Sequence, residues 1–226
     1  MRALLLTLPL VVASTSFAAR VTEARPVSGF TEIDASGGVE LFVTTGPFAV
    51  TLEGEAAEVA RYATTVSGGR LTIERRGFGF SFGRPVTARV SLPELTRLTT
   101  SGGVAATVSG VAGRELTLDL SGGGSVAASR LELDSLVLDV SGGVEAKLEG
   151  RAGRLVADLS GGVDVDAGNL VATAAVVDAS GGSSIDVRVT GGVKGRASGA
   201  TQVRVLGNPT AASIETSGAS DVEYVR

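Results

Sequence analysis

The chain has 226 residues, with 32 glycines, no cysteine, no histidine, no tryptophan and a formal net charge of −4. Without thiol or imidazole, cysteine and histidine catalysis, disulfide stapling and acylation of an N-terminal cysteine are excluded. The negative balance works against nucleic acid or anionic lipid as the main partner.

Residues 1–18 read as a secretory signal peptide: Arg2 supplies the charged end, Ala3 to Ala13 the apolar run, and Ser16 and Ala18 the small residues of a cleavage site. That run is too short to cross a bilayer, and no later stretch approaches transmembrane length. An exported protein is expected, periplasmic or secreted to the cell surface, with a net charge of −5 once Arg2 is left out of the −4. Residues 19–226 are expected to form one continuous domain, with 19–98 a decorated β region that caps the regular coils of 99–226.

In the first part the spacing is loose. Ser36 stands between Ile33 and Ala35 on one side and Leu41 and Val43 on the other, an alternation of period two about a glycine pair. Thr45-Gly46-Pro47-Phe48 reads as a turn, and Val66 to Ile73 as a hairpin turned at Gly68 and Gly69. Ser67 does not fit the Ser36 pattern, because Leu71 and Ile73 fall at the opposite parity.

From residue 99 onward a repeat takes over. Ser-Gly-Gly or Ser-Gly-Ala recurs at Ser101, Ser121, Ser141, Ser160, Ser180, Ser198 and Ser217, in steps of 20, 20, 19, 20, 18 and 19 residues. A fixed period of this length signals a solenoid. Counted from the serine, odd positions are apolar: Leu98, Leu118, Leu138, Ala157 and Val177 stand three before, and Val126, Ala146, Val165, Ile185 and Val203 five after. Even positions carry the charge, with Asp119, Asp139, Asp158 and Asp178 two before and Glu145 and Asp164 four after. Strands with one wet face on either side of a glycine corner satisfy both columns. Corners are therefore expected at Gly37-Gly38, Gly102-Gly103, Gly122-Gly123, Gly142-Gly143, Gly161-Gly162, Gly181-Gly182, Gly199 and Gly218, where positive φ is needed. The fold class that follows is all-β, a parallel β-helix of about 19–20 residues per coil. A lone coil cannot bury enough apolar surface to offset its ordering entropy, so coils must stack.

Several segments together resemble a known family: Gly29-Phe30 with Ile33, Ser36-Gly37-Gly38-Val39-Glu40-Leu41-Phe42-Val43, Val50-Thr51-Leu52-Glu53-Gly54, Leu71-Thr72-Ile73, and Val90-Ser91-Leu92-Pro93-Glu94-Leu95 running into Leu98 and Ser101-Gly102-Gly103. Over residues 28–226 the chain is similar to the auto-transporter adhesin, head GIN domain family of secreted bacterial proteins. The resemblance implies a right-handed parallel β-helix, export and an adhesin label, and it brings no catalytic residues. The segment Arg76 to Arg84 departs from the family pattern as an insertion.

Two features are candidate binding sites. Asp119, Asp139, Asp158 and Asp178 are expected to form an outward ladder about 4.8 Å apart, read either as a solvated face or as a weak cation or ligand contact. The ladder lacks the nine-residue repeat of calcium β-rolls, so no metal site and no cofactor are expected. Phe78, Phe80 and Phe82 alternate with small residues in the second feature, read either as a cap folded over the solenoid rim or as a contact for sugars or a partner. Acids repeat with the coil instead of gathering once, which speaks against an enzyme acting on polysaccharide. The leading expectation is a non-catalytic, adhesin-like scaffold for cell-surface polysaccharide or protein, with a purely structural envelope protein and a polysaccharide-acting enzyme as the alternatives. At the C-terminal end Asp221 to Arg226 leave a strand edge open to end-to-end pairing of two molecules. Replacing Phe78, Phe80 and Phe82 together by Ser should lower the melting temperature more than it weakens surface attachment; unchanged melting with lost attachment would make the loop a contact element.

Overall fold

The computed structural model describes residues 19–77 and 85–225. Its strands are β1 (Arg20–Ala24), β2 (Glu32–Ser36), β3 (Glu40–Thr45), β4 (Ala49–Glu55), β5 (Tyr62–Ser67), β6 (Arg70–Arg75), β7 (Thr87–Leu92), β8 (Arg97–Ser101), β9 (Ala105–Ser109), β10 (Ala112–Leu120), β11 (Gly123–Gly161), β12 (Asp164–Gly181), β13 (Ser184–Ala197), β14 (Gln202–Leu206), β15 (Ala211–Thr216) and β16 (Asp221–Val225). A single turn of helix, α1 (Ala56–Val59), joins β4 to β5. The strands wind into a β-solenoid of about six turns. β11 is long because the chain bends at its corners without losing its ladder to the neighbouring coils.

The expected stacking is present. Leu118 lies beside Leu138 and Asp119 beside Asp139, while Ala157 lies beside Val177 and Asp158 beside Asp178, all in parallel ladders. Leu118, Leu138, Ala157 and Val177 are buried in one hydrophobic column that runs from Phe30 to Val205. The same register holds where the sequence spacing is broken. Ser36 pairs with Ser101, Ile33 with Leu98 and Leu41 with Ala106, so β2 and β3 form the coil directly next to β8 and β9. The intervening chain builds the following layer: β6 runs parallel on β2, with Leu71 beside Ile33, and β7 parallel on β3, with Val90 beside Val43. Leu71 and Ile73 thus belong to the strand before a corner, which is why they miss the parity counted from Ser67. The hairpin at Gly68 and Gly69 forms as expected, with φ of 58° and 80°. Thr45 to Phe48 does turn the chain, but β3 and β4 do not pair, because β7 lies between them. Beyond this layer the strands reverse, β5 against β6, β4 against β7 and β1 against β4, so antiparallel strands close the N-terminal rim.

Two expectations need correction. The coil has three faces and not two. In the coil before Ser141 the buried residues are Leu131 and Leu133, then Leu136, Leu138 and Val140. The parity flips at Asp134-Ser135, so the chain bends there and a further short face precedes the two that flank the glycines. The rule of wet even positions therefore fails beyond that bend, where Leu131, Leu133, Ala152, Leu170 and Ala172 point inward.

The second correction concerns the corner glycines. Gly37, Gly102, Gly122, Gly142, Gly161, Gly181, Gly199 and Gly218 all adopt positive φ, as do Gly38 and Gly103, but Gly123, Gly143, Gly162 and Gly182 do not. In the regular coils the second residue is ordinary backbone whose amide donates to the first glycine's carbonyl one coil away: Gly143 to Gly122, Gly162 to Gly142 and Gly182 to Gly161, at 2.8–2.9 Å. Ala200 and Ala219 donate from the same place to Gly181 and Gly199. From Gly142 onward only the first position needs glycine, and it needs it twice over. At Gly142 (φ 95°) a Cβ would also run into the Gly122 carbonyl, whereas at Gly143 a Cβ meets nothing. Gly142→Ala should accordingly destabilise the fold by more than about 1 kcal/mol, and Gly143→Ala should stay within about 0.5 kcal/mol of the parent. Thermal unfolding of the two variants side by side checks this difference.

Candidate ligand-binding faces

The outward side of each strand is a set of columns, one residue per coil. Asp139 sits between Asp119 and Asp158, and its carboxyl is raised above the usual range, first by burial and then by those two neighbouring charges. The ladder ends are relieved. Arg97 approaches Asp119 at 3.9 Å, and Asp178 has Arg196 beside it in the next coil. Among the described residues no such cation pairs with Asp139 or Asp158, so negative charge is densest in the middle of the ladder. A half-buried serine column, Ser101, Ser121, Ser141 and Ser180, runs along the adjoining corner, and Ser121 and Ser180 donate to the carbonyls of Thr100 and Leu159 at 3.2 and 3.3 Å.

A second acidic face, not singled out from the sequence, lies past the corner. Asp164, Asp166, Ser184, Asp186, Gln202, Arg204 and Glu223 line a shallow cleft there. Arg204 holds it together, with Nη1 2.8 Å from Asp186 and Nε 3.5 Å from Glu223. The signal was available, since these residues occupy the positions four and six after the serine. It was hidden because the residue types change from coil to coil. Among the described residues no three carboxylates converge as a metal ion requires.

Phe78, Phe80 and Phe82 lie outside the described residues; the frame on either side of them is described. β6 leads into that segment and β7 leads out, and these strands stack on β2 and β3, which are joined by the Gly37-Gly38 corner. The entry to the segment is anchored: Arg75 pairs with Glu58 at 3.2 Å, Arg61 with the same carboxylate at 3.7 Å, and the Arg76 amide donates to the Arg61 carbonyl at 2.7 Å. Tyr62 donates its hydroxyl to the Gly37 carbonyl at 2.7 Å, and burial raises its pKa, with Arg75 lowering it and Glu58 raising it.

Charge is unevenly shared along the solenoid. Residues 19–98 carry nine basic and nine acidic side chains, and residues 99–226 carry ten and fifteen, so the whole excess of −5 belongs to the regular coils. The inward columns are packed with apolar residues from Phe30 to Val205.

Fold and faces together define a parallel β-solenoid whose surface chemistry repeats with the coil. The chain belongs to the family described as "Putative auto-transporter adhesin, head GIN domain", whose model matches residues 29–209. A solved structure from Bacteroides fragilis, described as a putative adhesin, is similar over 92% of this chain and 97% of its own, at 20% identity and a TM-score of 0.87. A structure from Parabacteroides distasonis, described as a putative lipid binding protein, covers the same shares at 17% identity and a TM-score of 0.67. One from Parabacteroides merdae, described as a putative adhesin, covers 92% of this chain and 96% of its own at 14% identity, with a TM-score of 0.66. No curated protein matches the chain. At these identities the likeness carries the fold. No helix among the described residues is long and apolar enough to cross a membrane.

The raised carboxyl of Asp139 has a sign that can be measured. A folded-state pKa above the unfolded value of 3.8 means the folded protein holds this proton more tightly. The contribution is favourable below the ordinary carboxylate range and is lost as pH rises through the folded value. Asp139→Asn should therefore raise the melting temperature relative to the parent at pH 7, and the gain should vanish near pH 3. Equal melting of the two proteins at both pH values would show that the ladder carries no repulsion.

Proposed function

We propose that this protein is an exported, non-catalytic binding module that presents its acidic faces to cell-surface glycans or proteins, as an adhesin does. The observation that carries this reading is the unbroken outward ladder Asp119, Asp139, Asp158 and Asp178, fixed by backbone register on a packed core. Four like charges in a row repel one another, and the fold gains nothing from that repulsion. A partner that brings hydroxyls or cations to the row would relieve it, and the rigid backbone costs such a partner little reorganisation. Membership of an adhesin-named family and two solved neighbours described as putative adhesins support the same reading.

A purely structural role without a ligand predicts a different response to mutation. We expect the purified protein to bind a subset of a glycan array or of immobilised envelope proteins. The quadruple Asn variant at Asp119, Asp139, Asp158 and Asp178 should lose at least tenfold of that binding while melting no earlier than the parent. Binding that survives the quadruple change would remove the ladder from the site. Absence of any wild-type binding would favour the structural role, and reducing-sugar release from acidic polysaccharide would replace binding by catalysis.

A further inference from the structure

Arg130 stands where the backbone calls for glycine. Among the described residues it is the only non-glycine with positive φ, 54°. Gly110, Gly150 and Gly207 lie at the same distance after their corner serines and take φ of 76°, 137° and 97°. A side chain in this conformation is strained, and such strain collects where the side chain has a task. The guanidinium turns back one coil, where Nη2 donates to the Ser109 hydroxyl at 2.6 Å, and Ser109 and Ser129 have their hydroxyls 3.2 Å apart. Among the described residues it pairs with no carboxylate. One bond to a neutral hydroxyl leaves most of its donors open to a ligand.

Beside this guanidinium lies a shallow cleft. Its floor is made of the exposed outward residues Ala105, Thr107, Ser125 and Ala127, with Glu40 at one end and Glu145 and Lys147 at the other. Glu40 is already engaged, since its carboxylate accepts from Thr87 at 2.9 Å. Parallel register carries the Thr107 column on to Phe42 and Arg89, and the Arg89 guanidinium lies over the Phe42 ring at 4.8 Å from its centroid. Arg89 therefore holds one side of the half-buried ring, and the short Thr107 leaves the other side uncovered. Ser109, where the Arg130 guanidinium rests, is two residues beyond Thr107. Ring and guanidinium are thus offset by one coil and two residues, about 5 Å along the axis and about 7 Å across it. A pyranose ring with a carboxylate on it spans that offset.

We infer that this cleft binds an oligosaccharide of hexuronic acid. One sugar ring lies over Thr107 with its apolar face against Phe42, and its carboxylate takes two parallel hydrogen bonds from Arg130. Ser109 and Ser125 meet its hydroxyls. A chain of such residues running along the solenoid axis brings a later carboxylate to Lys147. Three cations, Arg89, Arg130 and Lys147, gather here in a chain of negative net charge. A neutral saccharide would leave Arg130 without its counter-charge, which gives the site its preference. The cleft lies past the glycine corner, on a different face from the aspartate ladder, and it does not rest on the ladder's role in binding.

The test is calorimetric titration with a cellouronic acid tetramer and with cellotetraose, which differ in their carboxylates alone. The acidic tetramer should bind saturably and at least tenfold more tightly than the neutral one. Arg130→Gly relieves the backbone, so it should raise the melting temperature while weakening the acidic tetramer at least tenfold and removing the preference. Phe42→Leu should weaken both tetramers. The quadruple Asn variant of the aspartate ladder should keep the parent's affinity for the acidic tetramer, which separates the two faces. No saturable binding, equal affinity for the two sugars, or unchanged affinity in Arg130→Gly would overturn the inference. A lower melting temperature of Arg130→Gly with the parent's affinity would do so as well, by reducing Arg130 to a structural role. Loss of binding in the ladder variant would move the saccharide to the other face and overturn it too.

Discussion

Backbone touches backbone at the glycine corners from Gly142 onward, and the regular coils follow from that contact. The first glycine of each pair lies so close to its counterpart in the next coil that a Cβ at Gly142, Gly161, Gly181 or Gly218 would meet a carbonyl oxygen. With the corner fixed, the second residue hands its amide to the carbonyl one coil away, and the strands on either side fall into parallel ladders. Register admits no slip, because a shift of one residue would turn Leu138 to water and Asp139 to the core. The corner is therefore the element that converts a spacing of about twenty residues into columns.

Columns impose a cost of their own, since like stacks on like. The inward columns accept this easily, as aliphatic side chains of different size can compensate. Gly195 lies in the inward column between Val177 and Ile214, and a Cβ there would strike the Val177 carbonyl. The outward columns cannot repack. They settle their electrostatics in two ways, by alternating sign, as in Asp186, Arg204 and Glu223, or by leaving the repulsion in place, as in Asp119 to Asp178. Alternating sign is the arrangement that stability alone would select. That arrangement is absent from Asp119 to Asp178, so this face keeps its repulsion over four coils.

Much of this was legible in the sequence, because period two and period twenty are both carried by side chains. The columns at Leu118, Leu138 and Ala157 and the aspartate ladder could be read from spacing alone, and so could the hairpin at Gly68-Gly69. The third face could not, since the bend at Asp134-Ser135 has no glycine or proline to mark it and shows only as a parity flip between Leu133 and Leu136. The stacking of Ser36 on Ser101 across 65 residues was equally hidden, because nothing local shows that an excursion returns to the same column. The unequal demands on the two corner glycines, by contrast, were visible in Ala200 and Ala219, where the second position already tolerates a Cβ.

A stacked coil spreads like groups along a line, and a line of like groups is suited to a polymer. Hydroxyl side chains at the C-terminal corners show how locally the chain departs from repetition. The inward valines at 104, 144 and 163 give way to Ser183, Thr201 and Ser220, each of which donates back to the corner carbonyl of Ser180, Ser198 or Ser217 at 2.8–2.9 Å. Toward that end the apolar column thins and backbone polar groups take over.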